Sequence, residues 1–227
     1  YAQVVTSTTH KTLRGPRGGV VLSTREFGEY ADKGCPMVLG GPLPHVMAAK
    51  AIAFTEANTS AFKAYAHRIV ENAKALADQC ISLSMKVVSN GTDNHLMLID
   101  VTTFGLTGRQ GASALRECGI TLNKNAVPFD PNSPMITSGL RLGTPAVTTL
   151  GMGTDEMKEI AAIIKLVLSG TKAGVVEKGE NKGKPSKINY SIDPATLEQA
   201  KARVKSLLDR YPVYPELDLA FLQEHFT

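Results

Sequence analysis

Hydrophobic and polar positions along the chain change period several times, and each change marks an element. Val4, Val5, Thr6 and Thr8 set β-branched residues in near-alternation, which predicts a strand that stops at Lys11. Gly15, Pro16, Gly18 and Gly19 then force a tight turn, and Val20–Ser23 reads as a returning strand. A loop is expected up to Pro42 and Pro44, followed by the apolar run His45–Ala57 as the start of helix. Asn58-Thr59-Ser60 marks a break and a helix cap. Phe62, Tyr65, Ala66, Ile69, Ala73, Leu76, Ala77 and Cys80 recur at helical spacing, which predicts one buried face. Lys86–Val88 and Leu96–Val101 read as strands. Thr107 and Gln110 form a T-x-x-Q capping box for a helix running to about Glu117. Ile120–Leu122 and Leu140–Leu142 read as further short strands. Thr154 is expected to cap a helix with Met157, Ile160, Ala161, Ile164 and Val167 on its apolar stripe. Asp193-Pro194 opens the last amphipathic helix, with Leu197, Ala200, Val204, Leu207 and Leu208 facing inward. These stripes are core, not cofactor contacts. The Gly/Lys-rich stretch Lys178–Lys187 reads as an exposed loop or mobile linker.

Composition adds few constraints. The chain has 227 residues, 43% hydrophobic and 20% charged, which is ordinary for a globular protein and enough for a real core. The net charge of +4 is mild and lies partly in Lys172–Lys187, so nucleic acid is not expected as a partner. No apolar run reaches the roughly 18 residues of a membrane helix, and no signal peptide opens the chain. Cys35, Cys80 and Cys118 are widely spaced and form no C-x-x-C pair, which fits incidental thiols in a reducing cytoplasm. Asp93, Asn94 and His95 have no second ligand cluster at zinc spacing. They are read as a structural turn, with no metal expected.

The segment with the most chemistry is Thr6–Gly19, T-S-T-T-H-K-T-L-R-G-P-R-G-G. It sets one lysine, Lys11, between a run of hydroxyls and a Gly/Pro/Arg turn. A lysine is a nucleophile only when neutral. Burial, or the cations His10, Arg14 and Arg17, would favour that form, so the segment suits Schiff-base chemistry. A phosphate-binding or merely basic turn is the plainer reading of the same residues.

The whole string resembles the cofactor-lysine motif of serine hydroxymethyltransferases. The resemblance continues through L-G-G-P-L-P-H at Leu39–His45, T-D-N-H-L at Thr92–Leu96 and N-K-N-A-V-P at Asn123–Pro128. It goes on through S-G-L-R-L-G-T-P-A at Ser138–Ala146 and R-Y-P-V-Y at Arg210–Tyr214. It implies an α/β chain of the pyridoxal-phosphate-dependent transferase fold type I, aspartate aminotransferase-like. Residues 1–57 would end the large cofactor-binding domain, and residues 58–227 would form the C-terminal small domain. Because a strand is under way by Ala2, the chain is expected to be the downstream portion of a longer enzyme.

By the same resemblance Lys11 forms the Schiff base with pyridoxal 5'-phosphate, and Thr8 and His10 lie beside it as catalytic residues. Ser7 stands where the family usually has Thr, and it keeps the hydroxyl. Gly40 and Gly41 imply backbone contacts to the cofactor phosphate of a partner subunit. Leu39 replaces the Gln that many members carry there. Arg17 is implied as a further cation of the cofactor region. Arg141 implies a two-pronged grip on the substrate carboxylate, and Asn125 a contact to the pterin of a folate.

The expected reaction interconverts serine plus tetrahydrofolate with glycine plus 5,10-methylenetetrahydrofolate, in a cytoplasmic homodimer or homotetramer. The 227 residues alone are expected to be inactive. Two other readings fit parts of the sequence. One is a folate-independent aldolase for threonine-type β-hydroxy amino acids, which needs Lys11 and Arg141 but not Asn125. The other is a non-catalytic dimerisation or RNA-binding module that uses Lys172–Lys187.

Overall fold

The computed structural model describes residues 1–34, 37–179, 181–217 and 219–226. The chain forms two compact units, Tyr1–Ala66 and His67–Thr227. In the first, β1 (Val4–Thr8) and β2 (Gly19–Ser23) pair antiparallel, in register from Val4 opposite Ser23 to Thr8 opposite Gly19. The stretch after β2, expected as a loop, is instead helix α1 (Arg25–Gly34). None of its residues is buried, although Phe27, Tyr30 and Ala31 recur at the i, i+3, i+4 spacing of one helix face. Helix α2 (Pro44–Ala57) starts with Pro44 in its first turn, where the missing N–H costs no helical bond. Ala53 is its one buried residue. Thr59 then accepts a hydrogen bond at its Oγ1 from the Phe62 N–H (3.2 Å) and starts α3 (Ser60–Ser82), as the Asn58-Thr59-Ser60 break predicts.

The division between the units falls inside α3. In the second unit α3 buries Ile69, Asn72, Ala73, Leu76, Ala77 and Cys80. Of the rest of the expected stripe, Phe62 and Tyr65 are only half-buried and Ala66 is exposed. A four-stranded sheet carries this unit, made of β3 (Lys86–Val87), β4 (Leu96–Asp100), β5 (Asn123–Asn125) and β6 (Gly139–Gly143). Its order is β3-β4-β6-β5, and every pairing is antiparallel. Helix α4 (Gly108–Glu117) has the expected capping box: Thr107 Oγ1 accepts from the Gln110 N–H, and Gln110 Oε1 from the Thr107 N–H.

Ile120–Leu122 is not a strand. Gly119, at φ 88°, turns the chain out of α4, and the Ile120 N–H closes onto the Leu115 carbonyl at 2.9 Å. Only the next three residues come into register with β6, with Asn123 opposite Arg141 and Asn125 opposite Gly139.

A short α5 (Pro145–Thr149) leads to α6 (Thr154–Ser169). The N-cap of α6 is Gly153, not Thr154: the Gly153 N–H donates to Glu156 Oε2 at 2.9 Å. Strands β7 (Thr171–Val175) and β8 (Pro185–Ile192) form a hairpin. Lys178–Lys187 is therefore the hairpin tip and the start of β8, not a free linker, and Ser186 is buried. Helix α7 (Pro194–Arg210) is capped by Asp193, whose Oδ2 accepts from the Thr196 N–H at 2.9 Å. It buries Ala200, Val204 and Leu207, while Leu197 is half-buried and Leu208 exposed. It is not the last helix, because α8 (Leu219–Phe226) follows. The core joins β4, α4, β6 and α6 through Ile99, Leu115, Leu140, Met157, Ile164 and Leu168, all fully buried.

Candidate active site

The lysine segment forms a stitched loop between β1 and β2. Thr9 is its anchor, 1% exposed. The Thr9 N–H donates to the Gly18 carbonyl at 3.0 Å, its Oγ1 donates to the Pro16 carbonyl at 2.7 Å, and its carbonyl accepts from the Gly15 N–H at 2.7 Å. Gly15 is required there: a Cβ would sit 2.8 Å from the Thr9 carbonyl oxygen and 3.1 Å from Ala53 Cβ. Arg14 takes a left-handed φ of 58° and lays its guanidinium 3.8 Å from the centre of the Tyr65 ring.

Lys11 sits at the crown of this loop, three residues beyond the end of β1. Its backbone carbonyl accepts from the Arg14 N–H at 2.9 Å. Its side chain is exposed, where burial had been one of two expected aids, and it has no hydrogen-bond or ion-pair partner among the described residues. Beside it, His10 is half-buried with Nδ1 3.2 Å from the Gly18 carbonyl oxygen and 3.4 Å from the Gly18 nitrogen. Thr8 is half-buried at the end of β1, and Arg17 is exposed. Thr8 thus ends β1, and His10, Lys11 and Arg17 lie on the loop that follows it.

Gly40 and Gly41 are exposed, and a Cβ at either would meet no atom within 4 Å. Only Gly40, at φ 80°, is held to glycine by its backbone. Sequence reasoning passed over Lys50, whose Nζ donates to the Gly19 carbonyl at 2.8 Å. A signal was present, since Lys50 is the one lysine or arginine in the apolar run His45–Ala57.

Arg141 and Asn125 belong to neighbouring strands of the second unit. Arg141 is at the centre of β6, opposite Asn123 on one side and Leu98 on the other. Its side chain is exposed and has no partner among the described residues. Asn125 is half-buried, and its Nδ2 donates to the Ala126 carbonyl at 2.8 Å. Gly139, opposite Asn125, lets three strands close up: a Cβ there would lie 2.7 Å from Val127 Cγ1 and 3.0 Å from the Asn125 carbonyl oxygen.

The loop that joins β5 to β6 is tied by Asp130, another residue the sequence reading missed. Its carboxylate accepts from the N–H groups of Val127 (3.1 Å), Asn132 (2.8 Å) and Ser138 (2.8 Å) and from the Ser138 hydroxyl (2.7 Å). Desolvation alone would raise its pKa. These hydrogen bonds outweigh that and hold it below the usual carboxylate value. The D-P-N-S spacing around Asp130 resembles a turn, so it carried no sign of this role.

Asn94 makes the turn expected of Asp93-Asn94-His95: its Oδ1 accepts from the Leu96 N–H at 2.9 Å, and Thr92 Oγ1 accepts from the Asn94 N–H at 3.2 Å. Among the described residues no group of three His, Cys, Asp or Glu side chains could hold a metal ion. Cys80 and Cys118 are buried, and burial pushes the Cys80 thiol up to about 12, so it stays protonated and inert. Cys35 lies outside the described residues. Among the described residues no helix is long and apolar enough to cross a membrane.

Comparison with known proteins places this geometry in a family. A family model described as serine hydroxymethyltransferase matches residues 1–164. A protein named serine hydroxymethyltransferase from Treponema pallidum (strain Nichols) is 55% identical over 232 aligned positions, covering 100% of this chain and 39% of that protein. The proteins of the same name from Cutibacterium acnes and Salinispora tropica are 50% and 53% identical, covering 97% and 96% of this chain and 44% and 45% of theirs. These α/β units are part of the type I fold of pyridoxal-phosphate-dependent enzymes. The chain belongs to the serine hydroxymethyltransferase family, and it spans about two fifths of the length of the curated relatives it matches.

Proposed function

We propose that this chain serves a pyridoxal-phosphate-dependent transferase that interconverts serine plus tetrahydrofolate with glycine plus 5,10-methylenetetrahydrofolate. The observation that carries the reading is the amine of Lys11. It is exposed, has no partner among the described residues, and is held at the crown of a loop whose anchor Thr9 is buried. The residues present fit the cofactor: an unpaired amine suits an aldehyde, and the cation Arg17 of the same loop suits a phosphate. Bound there, pyridoxal phosphate would supply that aldehyde and an electron-withdrawing ring over the substrate α-carbon.

In this reading the loop fixes the Lys11 backbone and leaves its amine free to reach the cofactor, with Thr8 and His10 supplying a hydroxyl and an imidazole to the same site. Gly40 and Gly41 offer backbone N–H groups to a phosphate. Arg141 holds the amino-acid carboxylate through two parallel N–H donors, and so sets which α-carbon bond is positioned to break. Asn125 both donates to and accepts from the pterin edge of the folate. Asp130 acts on Asn125 and Arg141 indirectly, by tying the loop between their strands.

We also assign residues 1–57 to the large domain and 58–227 to the small one. The two compact units support a two-domain reading, with their division downstream of that boundary, inside α3. The working enzyme in this proposal is a cytoplasmic homodimer or homotetramer. Helix α2 supports an assembled state: it is apolar, yet Met47, Ile52 and Phe54 are exposed on it.

The test is chemical. The protein is incubated with pyridoxal phosphate, reduced with borohydride, digested and mapped by mass spectrometry. A pyridoxyl group on Lys11, absent from Lys11→Ala, is expected. Adducts spread over surface lysines with Lys11 unmodified would overturn the reading. The carboxylate partner of the pyridine nitrogen, in the family resemblance, is not among these residues, so the 227 residues alone should not convert serine to glycine.

A further inference from the structure

A groove of about 420 Å³ in the second unit lies between α4 and the β5 edge of the sheet, a volume typical of small-molecule sites. Arg109, Arg116, Lys124 and Arg141 line it, on a floor that includes Ala112 and Leu122. No carboxylate is among its lining residues. Arg109 and Arg116 are seven residues apart on α4, so they share one helix face about 10 Å apart along the axis. Lys124 and Arg141 come from the paired strands β5 and β6.

The acid nearest in sequence, Glu117, accepts a hydrogen bond from the Tyr190 hydroxyl. The side chains of Arg109, Arg116 and Arg141 have no hydrogen-bond or ion-pair partner among the described residues, and Lys124 Nζ donates only to the Pro134 carbonyl at 2.9 Å. Four like charges around one concavity repel each other, and among the described residues no carboxylate pairs with any of them. One monocarboxylate on Arg141 would leave the other three uncompensated.

We infer that this groove is a binding site for a small anion with two or more charged oxygen groups, a polycarboxylate or an oligophosphate, gripped by Arg109, Arg116 and Lys124, with Arg141 at its border. The site is separate from the amino-acid role proposed for Arg141, because three of its four cations play no part in that role. The helix-borne pair spans a ligand with separated charges, while Ala112 and Leu122 give its carbon skeleton an apolar floor.

The test titrates the 227-residue chain with sodium pyrophosphate, citrate and glycine at constant ionic strength, following amide shifts by NMR and the melting temperature. Pyrophosphate or citrate is expected to bind saturably, to move the amides around 109–116 and 122–124, and to raise the melting temperature above that in sodium chloride of equal ionic strength. Arg116→Gln, at an exposed site, should weaken binding about tenfold, the loss of a charge-assisted hydrogen bond, and Lys124→Gln should do likewise. The two ligands distinguish the sources: stronger citrate binding points to polycarboxylates, stronger pyrophosphate binding to oligophosphates. Failure of both to bind, or binding unchanged by Arg116→Gln and Lys124→Gln, overturns the inference. Glycine binding that depends on Arg141, with neither polyanion bound, would overturn the inference and leave the role proposed for Arg141 intact.

Discussion

At the scale of the residue, two side chains mark the difference between chemistry and support. The Lys11 side chain is exposed and has no hydrogen-bond or ion-pair partner among the described residues, so Lys11→Ala should abolish covalent cofactor attachment while changing the unfolding free energy by no more than about 0.5 kcal/mol. Asp130 is the opposite case, with four donors on one carboxylate. Asp130→Asn keeps the shape but loses charge and acceptor sites, and should cost about 1–2 kcal/mol once its partial exposure is discounted. Its pH behaviour follows from the direction of the shift. Because the folded carboxyl lies below its unfolded value of about 3.9, its contribution is complete above that pH and is lost as pH falls through the lower, folded value. Urea titrations from pH 6 downward should show the parent losing this part of its acid-range stability, and Asp130→Asn should show a flatter profile there. An identical slope in both proteins would remove the role given to Asp130.

At the scale of the element, α4 is held by more than its apolar face. Gln110 is fully buried, and its Nε2 donates to the Ser186 carbonyl (2.8 Å) and the Asn189 carbonyl (2.7 Å) of β8. The Thr107 hydroxyl donates to the Lys187 carbonyl at 2.9 Å. The cap therefore also welds the helix to the β7–β8 hairpin. Thr107→Ala should cost about 1–2 kcal/mol, as a lost cap does. Gln110→Ala should cost more, about 2–4 kcal/mol, because it strands buried carbonyls. Chemical denaturation checks both, and equal costs would mean that the two hydrogen bonds from Gln110 to β8 add nothing beyond the cap. The T-x-x-Q box was legible because capping is local. Its second duty was not, because Ser186 and Asn189 are far away in sequence. Helix α1 did carry a local signal that the sequence reading passed over: Phe27, Tyr30 and Ala31 share one face at helical spacing, although none of its residues is buried.

At the scale of the whole molecule, burial is uneven. Among the described residues of Tyr1–Ala66 only Thr9 and Ala53 are buried, whereas His67–Thr227 holds a continuous core from Leu76 to Leu207. Amide exchange should follow this division. Residues in β4, α4, β6 and α6 should be the slowest, and those in β1, β2 and α1 should exchange fast in the monomer. Mass-resolved exchange on the monomeric chain tests this, and slow exchange in β1 would show that the first unit is held by contacts outside its own hydrophobic burial. If α2 is covered in a homodimer, its amides should slow at protein concentrations where light scattering reports the dimer, and only there.

The sequence by itself determined the family, the Lys11 loop, the capping box of α4 and most helix faces, because each is written in neighbouring residues or in a short repeating period. It also singled out Arg141 and Asn125 through motif alone. Only the tertiary structure decided that β5 begins at Asn123, because strand register depends on a partner, β6, that lies beyond a loop. Only the tertiary structure joined Asp130 to Val127 and Ser138, Gln110 to β8, and Lys50 to Gly19. It alone gathered Arg109, Arg116, Lys124 and Arg141 around one groove. Those groupings depend on which distant segments fold against each other, and pairwise proximity of that kind leaves no period in a single chain for a reader to find.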